Sequence, residues 1–353
     1  MYNFYLAHNK VIYSSEKRYV GSMEFMKWLN NVFLPNNIEY MWIKDVSSKS
    51  VIQSVRNAET AFKRLFNNQS KFPRYKKKSG RVVKMYFVRG SASRVIQCER
   101  HRIKIPALGW IRIKEKGYVP TNKTIKSGTI SKQAGRYYIS VLVEEPDVVH
   151  DDVYTEGIGV DLGITELAIS SNGLRVKNIN KTDTVRKLEK KLKREQRRLS
   201  RKFETQKTNK TDGCNIAKQT LVVQKLYQRL DNIRKDHINK TVRDLVKPKP
   251  SWITIEDLNL VDMQKNRHLS KAIGQQGFFT LREKLTQKCS EYGIELRIAN
   301  RFFASSKTCH NCGLIKSDLK LSDRVFKCEC AYEADRDYNA SLNLRDTTDY
   351  KVA

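Results

Sequence analysis

Between Gly157 and Gly163 the chain reads Gly-Ile-Gly-Val-Asp-Leu-Gly, an apolar strand that carries a carboxylate, Asp161, among Ile158, Val160 and Leu162. A strand of this composition belongs in a core, and a buried carboxylate is costly unless it is paired or holds a metal. Two further acids occupy comparable places. Glu256 ends the strand Ile253-Thr-Ile, and Asp337 opens the last helix, Asp-Tyr-Asn-Ala-Ser-Leu-Asn-Leu. Each has an ordinary reading alone: Asp337 as a helix N-cap, Glu256 as a strand-end surface residue, Asp161 as the partner of a nearby lysine. If the two strands are neighbours and the final helix packs over their ends, the three carboxylates converge. A cluster of hard oxygen ligands suits Mg²⁺ or Mn²⁺. Asp161 would then bridge two ions roughly 3.5–4 Å apart, with Glu256 and Asp337 each anchoring one. Asp335 is the rival for the third place, or else it supports the ligands from behind or pairs with Arg336.

The segments around these acids alternate in type. Leu167-Ala-Ile-Ser-Ser-Asn-Gly and Arg175-Val-Lys-Asn-Ile read as antiparallel neighbours of the first strand. A long basic helical hairpin follows over 183–246, with Val185, Leu188, Leu192, Leu199 and Phe203 as one seam and Val223, Leu226, Leu230 and Ile233 as the other. Then come the strand Trp252-Ile-Thr-Ile-Glu, a helix from Phe278 to Tyr292 and the strand Ile294-Glu-Leu-Arg-Ile. Strand, strand, strand, long helices, strand, helix, strand is the order of a ribonuclease H-like α/β fold. The N-terminal half differs. Phe25, Met26, Leu29, Val32 and Phe33 share a helical period, as do Val51, Val55, Ala58, Phe62, Leu65 and Phe66, while Tyr40 to Asp45 has no assignable period. From Arg81 to Glu145 the period becomes two, with Gly90, Gly109, Gly117 and Gly135 marking turns. Short strands at that rhythm predict a small barrel. Asp147 to Thr155 reads as an acidic linker between the two architectures.

Charge narrows the class of partner. The 353 residues hold 68 Lys and Arg against 37 Asp and Glu, a net charge of +31 with a sequence pI near 9.9. So large an excess needs a polyanionic partner or a great deal of counterion, with nucleic acid the first candidate and an anionic membrane the second. No apolar run reaches the roughly 18 residues of a spanning helix, and the N-terminus lacks signal-peptide order, so a reduced, cytoplasmic setting is expected. Two basic stretches are candidate nucleic-acid contacts. Lys71-Phe-Pro-Arg-Tyr-Lys-Lys-Lys-Ser-Gly interleaves rings with cations, offering Arg74, Lys76, Lys77 and Lys78. From Arg186 to Lys202, ten basic residues face only Glu189 and Glu195, offering Arg194, Arg197, Arg198 and Arg201. The competing readings are a solvated connector for the first and a solvated helix face for the second. Of the seven cysteines, Cys98, Cys214 and Cys289 read as buried thiols. The other four form close pairs: Cys309 and Cys312 in a Cys-x-x-Cys-Gly turn, Cys328 and Cys330 fifteen residues further on. Four thiolates so arranged predict a structural tetrahedral Zn²⁺ site.

Val-Asp-Leu-Gly at Asp161, Ile-Glu-Asp-Leu-Asn at Glu256, Cys-His-Asn-Cys-Gly at Cys309 and Asp-Arg-Asp-Tyr-Asn-Ala at Asp335 stand in the order of the TnpB proteins. These are OrfB-type, transposon-encoded relatives of type V CRISPR effector nucleases, and the chain resembles them over most of its length. The resemblance implies an α+β multidomain protein with five parts. They are a helical recognition segment over 1–70, a wedge-like β-barrel over 71–150, a RuvC-like nuclease over 151–305 and 333–353, and an inserted target-binding zinc ribbon over 306–332. It implies an RNA-guided DNA endonuclease using Mg²⁺ or Mn²⁺, Zn²⁺ and a guide RNA, with Asp161, Glu256 and Asp337 catalytic. Target double-stranded DNA and a transposase encoded by the same element are the implied partners, with no membrane role. A non-cleaving RNA-guided DNA-binding regulator and a transposase acting directly in recombination are the alternatives. Two features depart from the family pattern. The chain starts late, so a missing first strand would leave the barrel open, and the second cysteine pair is Cys-x-Cys.

Overall fold

The computed structural model describes residues 1–77, 83–89, 96–146, 154–209, 213–320 and 323–353. It divides into two compact units, Met1–Pro146 and Asp147–Ala353. The acidic linker expected over Asp147–Thr155 lies outside the described residues as far as residue 153, as do Lys78, Gly90 and Val95.

In the first unit, α1 (Tyr2–Glu16), α2 (Ser22–Trp28), α3 (Leu34–Asn36) and α4 (Ser48–Phe66) pack around Tyr5, Phe25, Leu29, Val55, Ala58 and Phe62. Tyr40 to Asp45, without a legible period, lies in a 3-10 helix over Ile38–Asp45. Val32, placed on the apolar stripe of its helix, is instead exposed. The strands that follow are β1 (Val83–Val88), β2 (Gln97–Glu99), β3 (Arg102–Ile105), β4 (Gly109–Arg112), β5 (Ile125–Gln133) and β6 (Arg136–Val143). Gly109, Gly117 and Gly135 take the left-handed backbone that tight turns need. The predicted barrel does not close. Among the described residues the strands form two antiparallel sheets, β1-β5-β6 and β2-β3-β4, each of three strands. Strands of three or four residues in the second sheet are too short to pair with the ends of the first. The two sheets instead share an apolar core of Phe87, Ile96, Ile103, Ile105, Val119 and Ile125.

The second unit is built on one six-stranded sheet. Its elements are β7 (Ile158–Leu162), β8 (Glu166–Ser170), β9 (Arg175–Lys177), α5 (Asp183–Asn209), α6 (Cys214–Val246), β10 (Trp252–Ile255), α7 (Leu260–Lys265), α8 (Ser270–Gln276), α9 (Phe278–Tyr292), β11 (Glu295–Ala299), β12 (Val325–Lys327), β13 (Glu333–Asp335), α10 (Arg336–Asp346) and β14 (Tyr350–Val352). The order across the sheet is β14-β11-β10-β7-β8-β9. β7, β8 and β9 run antiparallel in sequence, β10 joins the other side of β7 in parallel, and β11 is parallel to β10. Ile158, Val160, Ile253, Ile255, Leu296 and Ile298 pack with Val242, Leu245, Leu281 and Leu285 of α6 and α9. α5 and α6 form the predicted hairpin on Val185, Leu188, Leu192, Val223, Leu226 and Leu230. Phe203 does not join that seam and is exposed. In its lower stretch the contact is polar: buried Gln219 donates to the Glu195 carboxylate at 2.8 Å and to its backbone carbonyl at 3.2 Å.

α10 lies against β7 because Gly159 has no side chain. A Cβ at Gly159 would stand 2.0 Å from the Ser341 carbonyl oxygen and 2.3 Å from the Arg345 nitrogen. Both are backbone atoms and neither can swing aside. Gly159→Ala is expected to destabilise the second unit by about 3 kcal/mol, lowering Tm by several degrees. Thermal unfolding checks this, and an unchanged Tm would show that α10 can lift from the strand.

Candidate active site

The register of the sheet sets two acids side by side. Val160 of β7 pairs with Ile255 of β10 in parallel, so the next residues, Asp161 and Glu256, are neighbours on the same face. The third acid arrives through α10. Ser341 lies over Gly159, and Asp337 stands one helical turn earlier, ~6 Å along the helix. Asp161 lies two residues beyond Gly159, ~6.6 Å along the strand. Helix start and strand end therefore meet at one edge of the sheet, the carboxyl ends of β7 and β10.

The electrostatics report the same proximity. Asp161 and Glu256 are both half-buried. Lost hydration raises the Asp161 carboxyl well above its ordinary range, the charges of Glu256 and Asp337 raise it further, and Arg336 opposes them. Burial also raises Glu256, against a hydrogen bond that Ser305 Oγ donates to its Oε1 at 2.7 Å, and Asp337 adds to the rise. Two acids are thus held together with too little positive charge between them, which is the condition a bound cation relieves.

Asp337 is not an N-cap. Asp335 fills that role, accepting from the backbone N–H of Asp337 at 3.1 Å and of Tyr338 at 2.9 Å. Asp335 also pairs with Arg175 at 3.3 Å rather than with Arg336. The Asp337 carboxylate faces Arg336 at 3.0 Å and Arg324 at 3.6 Å. Full convergence of the three acids is therefore not reached. Among the described residues, the four cysteines form the one group in which three or more possible ligand side chains bring their atoms within 4.8 Å of one another.

The cysteines do converge. Cys309 and Cys330 sulfurs lie 3.7 Å apart and those of Cys312 and Cys328 3.5 Å apart. A tetrahedral ion with arms of about 2.3 Å needs ligand separations of ~3.8 Å. The Cys-x-Cys pair reaches this geometry by a shortened knuckle. In the first turn the Cys309 N–H donates to the Leu314 carbonyl with Gly313 left-handed; in the second the Cys328 N–H donates to the Tyr332 carbonyl with Ala331 left-handed. The donor set and its spacing fit a thiolate-bound ion. Of the other thiols Cys289 is buried and Cys98 half-buried, as a packing role requires, but Cys214 is exposed.

Residues that sequence reasoning missed tie the two sites together. Asn339 and Asn343 are buried on α10, and their side-chain amides donate to the Thr308 carbonyl at 2.8 and 2.7 Å. Asn343 also donates to the carbonyl of Ser305 at 2.8 Å, the residue that holds Glu256. The signal was present: two asparagines four apart on a helix face shared with Ala340 and Leu344.

The candidate nucleic-acid contacts are exposed where described. Arg194, Arg197, Arg198 and Arg201 line the surface of α5, with Arg198 paired to Glu195 at 3.0 Å. Arg74, Lys76 and Lys77 are exposed on a loop pinned to α1, where Lys76 exchanges backbone hydrogen bonds with the Asn3 side chain and lies 3.7 Å over the Tyr2 ring. Phe72 meets Phe62 edge to face at 5.7 Å, and Tyr75 is exposed. Lys78 lies outside the described residues. No described helix is long and apolar enough to cross a membrane.

Known proteins share this organisation. A family model described as "Probable transposase" matches residues 139–267, and one described as "Cas12f1-like, TNB domain" matches 278–344. A protein of Streptomyces pristinaespiralis named "Putative RNA-guided DNA endonuclease" is 32% identical over 310 residues, 87% of this chain and 73% of the relative. A protein of Escherichia coli K12 with that name, InsQ, is 29% identical over 98% of this chain and 85% of its own. A Cas12f1 chain solved by cryo-EM with sgRNA and target DNA shares the α+β fold at a TM-score of 0.58 and 16% identity, covering 99% of this chain and 80% of that one. The chain belongs to the family of these transposon-associated proteins, the TnpB family.

The raised carboxyls carry a consequence for stability. Unfolded carboxyls titrate near pH 4, whereas folded Asp161 and Glu256 keep protons to higher pH. Between those limits the folded state binds more protons, so stability falls as pH rises through the window. In EDTA, Asp161→Asn is expected to match the parent below about pH 4 and to melt higher than it at about pH 7.5. A variant that melts lower at the upper pH would show that the charge is already compensated.

Proposed function

We propose that this protein is an RNA-guided DNA endonuclease that hydrolyses phosphodiester bonds at a RuvC-like site formed by Asp161, Glu256 and Asp337. The observation that carries the reading is the placement of Asp161 and Glu256 on adjacent parallel strand ends, under the start of α10. Three antiparallel strands followed by two parallel ones, with the acids on the first and fourth, is the ribonuclease H-like arrangement. The relatives' names supply the guided, DNA-cutting class. The net charge of +31 and the cationic surface of α5 suit an RNA scaffold and a DNA target.

The donor set suits hard divalent ions such as Mg²⁺ or Mn²⁺, because its atoms are carboxylate oxygens and the charges of Asp161 and Glu256 are poorly compensated. When bound, such ions activate water and neutralise charge on the phosphodiester undergoing displacement. The chain's own residues prepare that chemistry. Asp161 is central, next to Glu256 in register and charge-coupled to Asp337. Ser305 fixes the Glu256 carboxylate by donating to one of its oxygens. Arg336 and Arg324 hold Asp337 in reserve. The four cysteines would hold a structural Zn²⁺, and Asn339 and Asn343 link the segment before Cys309 to α10, Asn343 also reaching Ser305.

Purified with its guide RNA, the unaltered protein is expected to cut target plasmid in Mg²⁺. Asp161→Ala or Glu256→Ala should lower the rate by a thousandfold or more, on the order of 4 kcal/mol, while RNA retention and target binding persist. A variant that cuts at the parent rate would remove the acids from the mechanism, and an unaltered complex that binds target without cutting would favour a DNA-binding regulator. Elemental analysis should find about one Zn²⁺ per chain. Cys309→Ser should lose it and lower Tm, whereas full retention would show that the cysteines are not its ligands.

A further inference from the structure

Immediately after Glu256 the chain places another carboxylate that serves a different end. Asp257 is 12% exposed and accepts from Arg282 Nη1 at 3.1 Å on one oxygen and from Arg301 Nη2 at 2.7 Å on the other. Burial alone would raise this carboxyl, but hydrogen bonds from Arg301 and Arg282 outweigh it and hold it below the ordinary range. Arg282 projects from α9 and Arg301 follows β11, so two elements deliver cations to the sheet edge that carries the acids. The two arginine side chains remain 41% and 49% exposed, with most of their donors unspent on Asp257. Together with Leu162, Glu256 and Phe279 they line a cavity of about 280 Å³. Phe279 is 62% exposed there.

Two guanidiniums on one carboxylate leave positive charge over, fixed beside a pair of acids that would otherwise repel DNA. Planar forks with free N–H groups suit a phosphate. The cavity is too small for a duplex and suits one unstacked nucleotide, with a ring at hand for sequence-tolerant stacking. We propose that Arg282 and Arg301, fastened by Asp257, bind a phosphate of the single DNA strand next to the bond that is cut, with Phe279 stacking on the adjoining base. The proposal rests on the nuclease reading above and names a part of its substrate.

The test uses the RNA-loaded full chain and target strands carrying one neutral methylphosphonate linkage at successive positions around the cut. At one position beside the cut, the neutral linkage should slow the unaltered protein about ten- to a hundredfold, the worth of hydrogen bonds to a charged group. In Arg282→Gln/Arg301→Gln the same linkage should cause no further slowing, because the interaction is already gone. Phe279→Ala paired with an abasic site at the adjoining nucleotide should show the same non-additivity, and this variant leaves the Asp257 ion pairs intact. Arg301→Lys should recover part of the rate on the all-phosphate strand. Equal slowing of parent and variants overturns the subsite while leaving the nuclease in place. Failure of the unaltered complex to cut the all-phosphate strand overturns the nuclease reading and the subsite with it.

Discussion

The second unit is organised around a repulsion. Asp161 and Glu256 are forced together by strand register, and among the described residues neither forms an ion pair of its own. The apolar core of β7 and β10 supplies the stability that this arrangement uses up, and the absence of a side chain at Gly159 lets the one helix that bears the third acid onto the same edge. Sites that are uncomfortable when empty and relaxed when occupied are characteristic of function rather than of packing. The arginines nearby are committed elsewhere: Arg336 and Arg324 to Asp337, Arg282 and Arg301 to Asp257, Arg175 to Asp335. Positive charge thus surrounds the central pair without cancelling it.

Much of this was legible from residues alone, for physical reasons. The acids in Gly157–Gly163 and at Glu256 declared themselves because a carboxylate in an apolar strand is a rare expense, and the strand order followed from periods that are strongly expressed. The N-cap reading stayed open for Asp337 because Asp335 and Asp337 are two apart and either could take the orphan N–H groups; only the backbone at the helix start assigns the cap to Asp335. Closure of the first unit's sheets depends on pairing between strands distant in sequence, which no local pattern encodes. Phe203 continues a helical period, but it lies a turn beyond Leu199, which still packs against the apolar seam, and is itself exposed.

The cysteine module and the acids are mechanically one object. Asn339 and Asn343 reach from α10 to Thr308 and Ser305, and Ser305 reaches Glu256. Side-chain amides that satisfy backbone carbonyls inside a core are demanding in direction, so they transmit position well. The shortened knuckle at Cys328 and Cys330 belongs to the same account. It keeps the sulfur separations of a full turn by placing Ala331 in a backbone conformation that glycine would enter more easily.

The buried Glu195–Gln219 contact has a bearing on the hairpin as a whole. Were α5 to slide against α6 by a turn, that amide and carboxylate would face apolar side chains, so the two helices have a single permitted alignment. A helix of 27 residues locked in this way is a stiff rod of ~40 Å. Its outward cations therefore keep constant intervals, and whatever polyanion lies along it must match that ruler rather than reshape it.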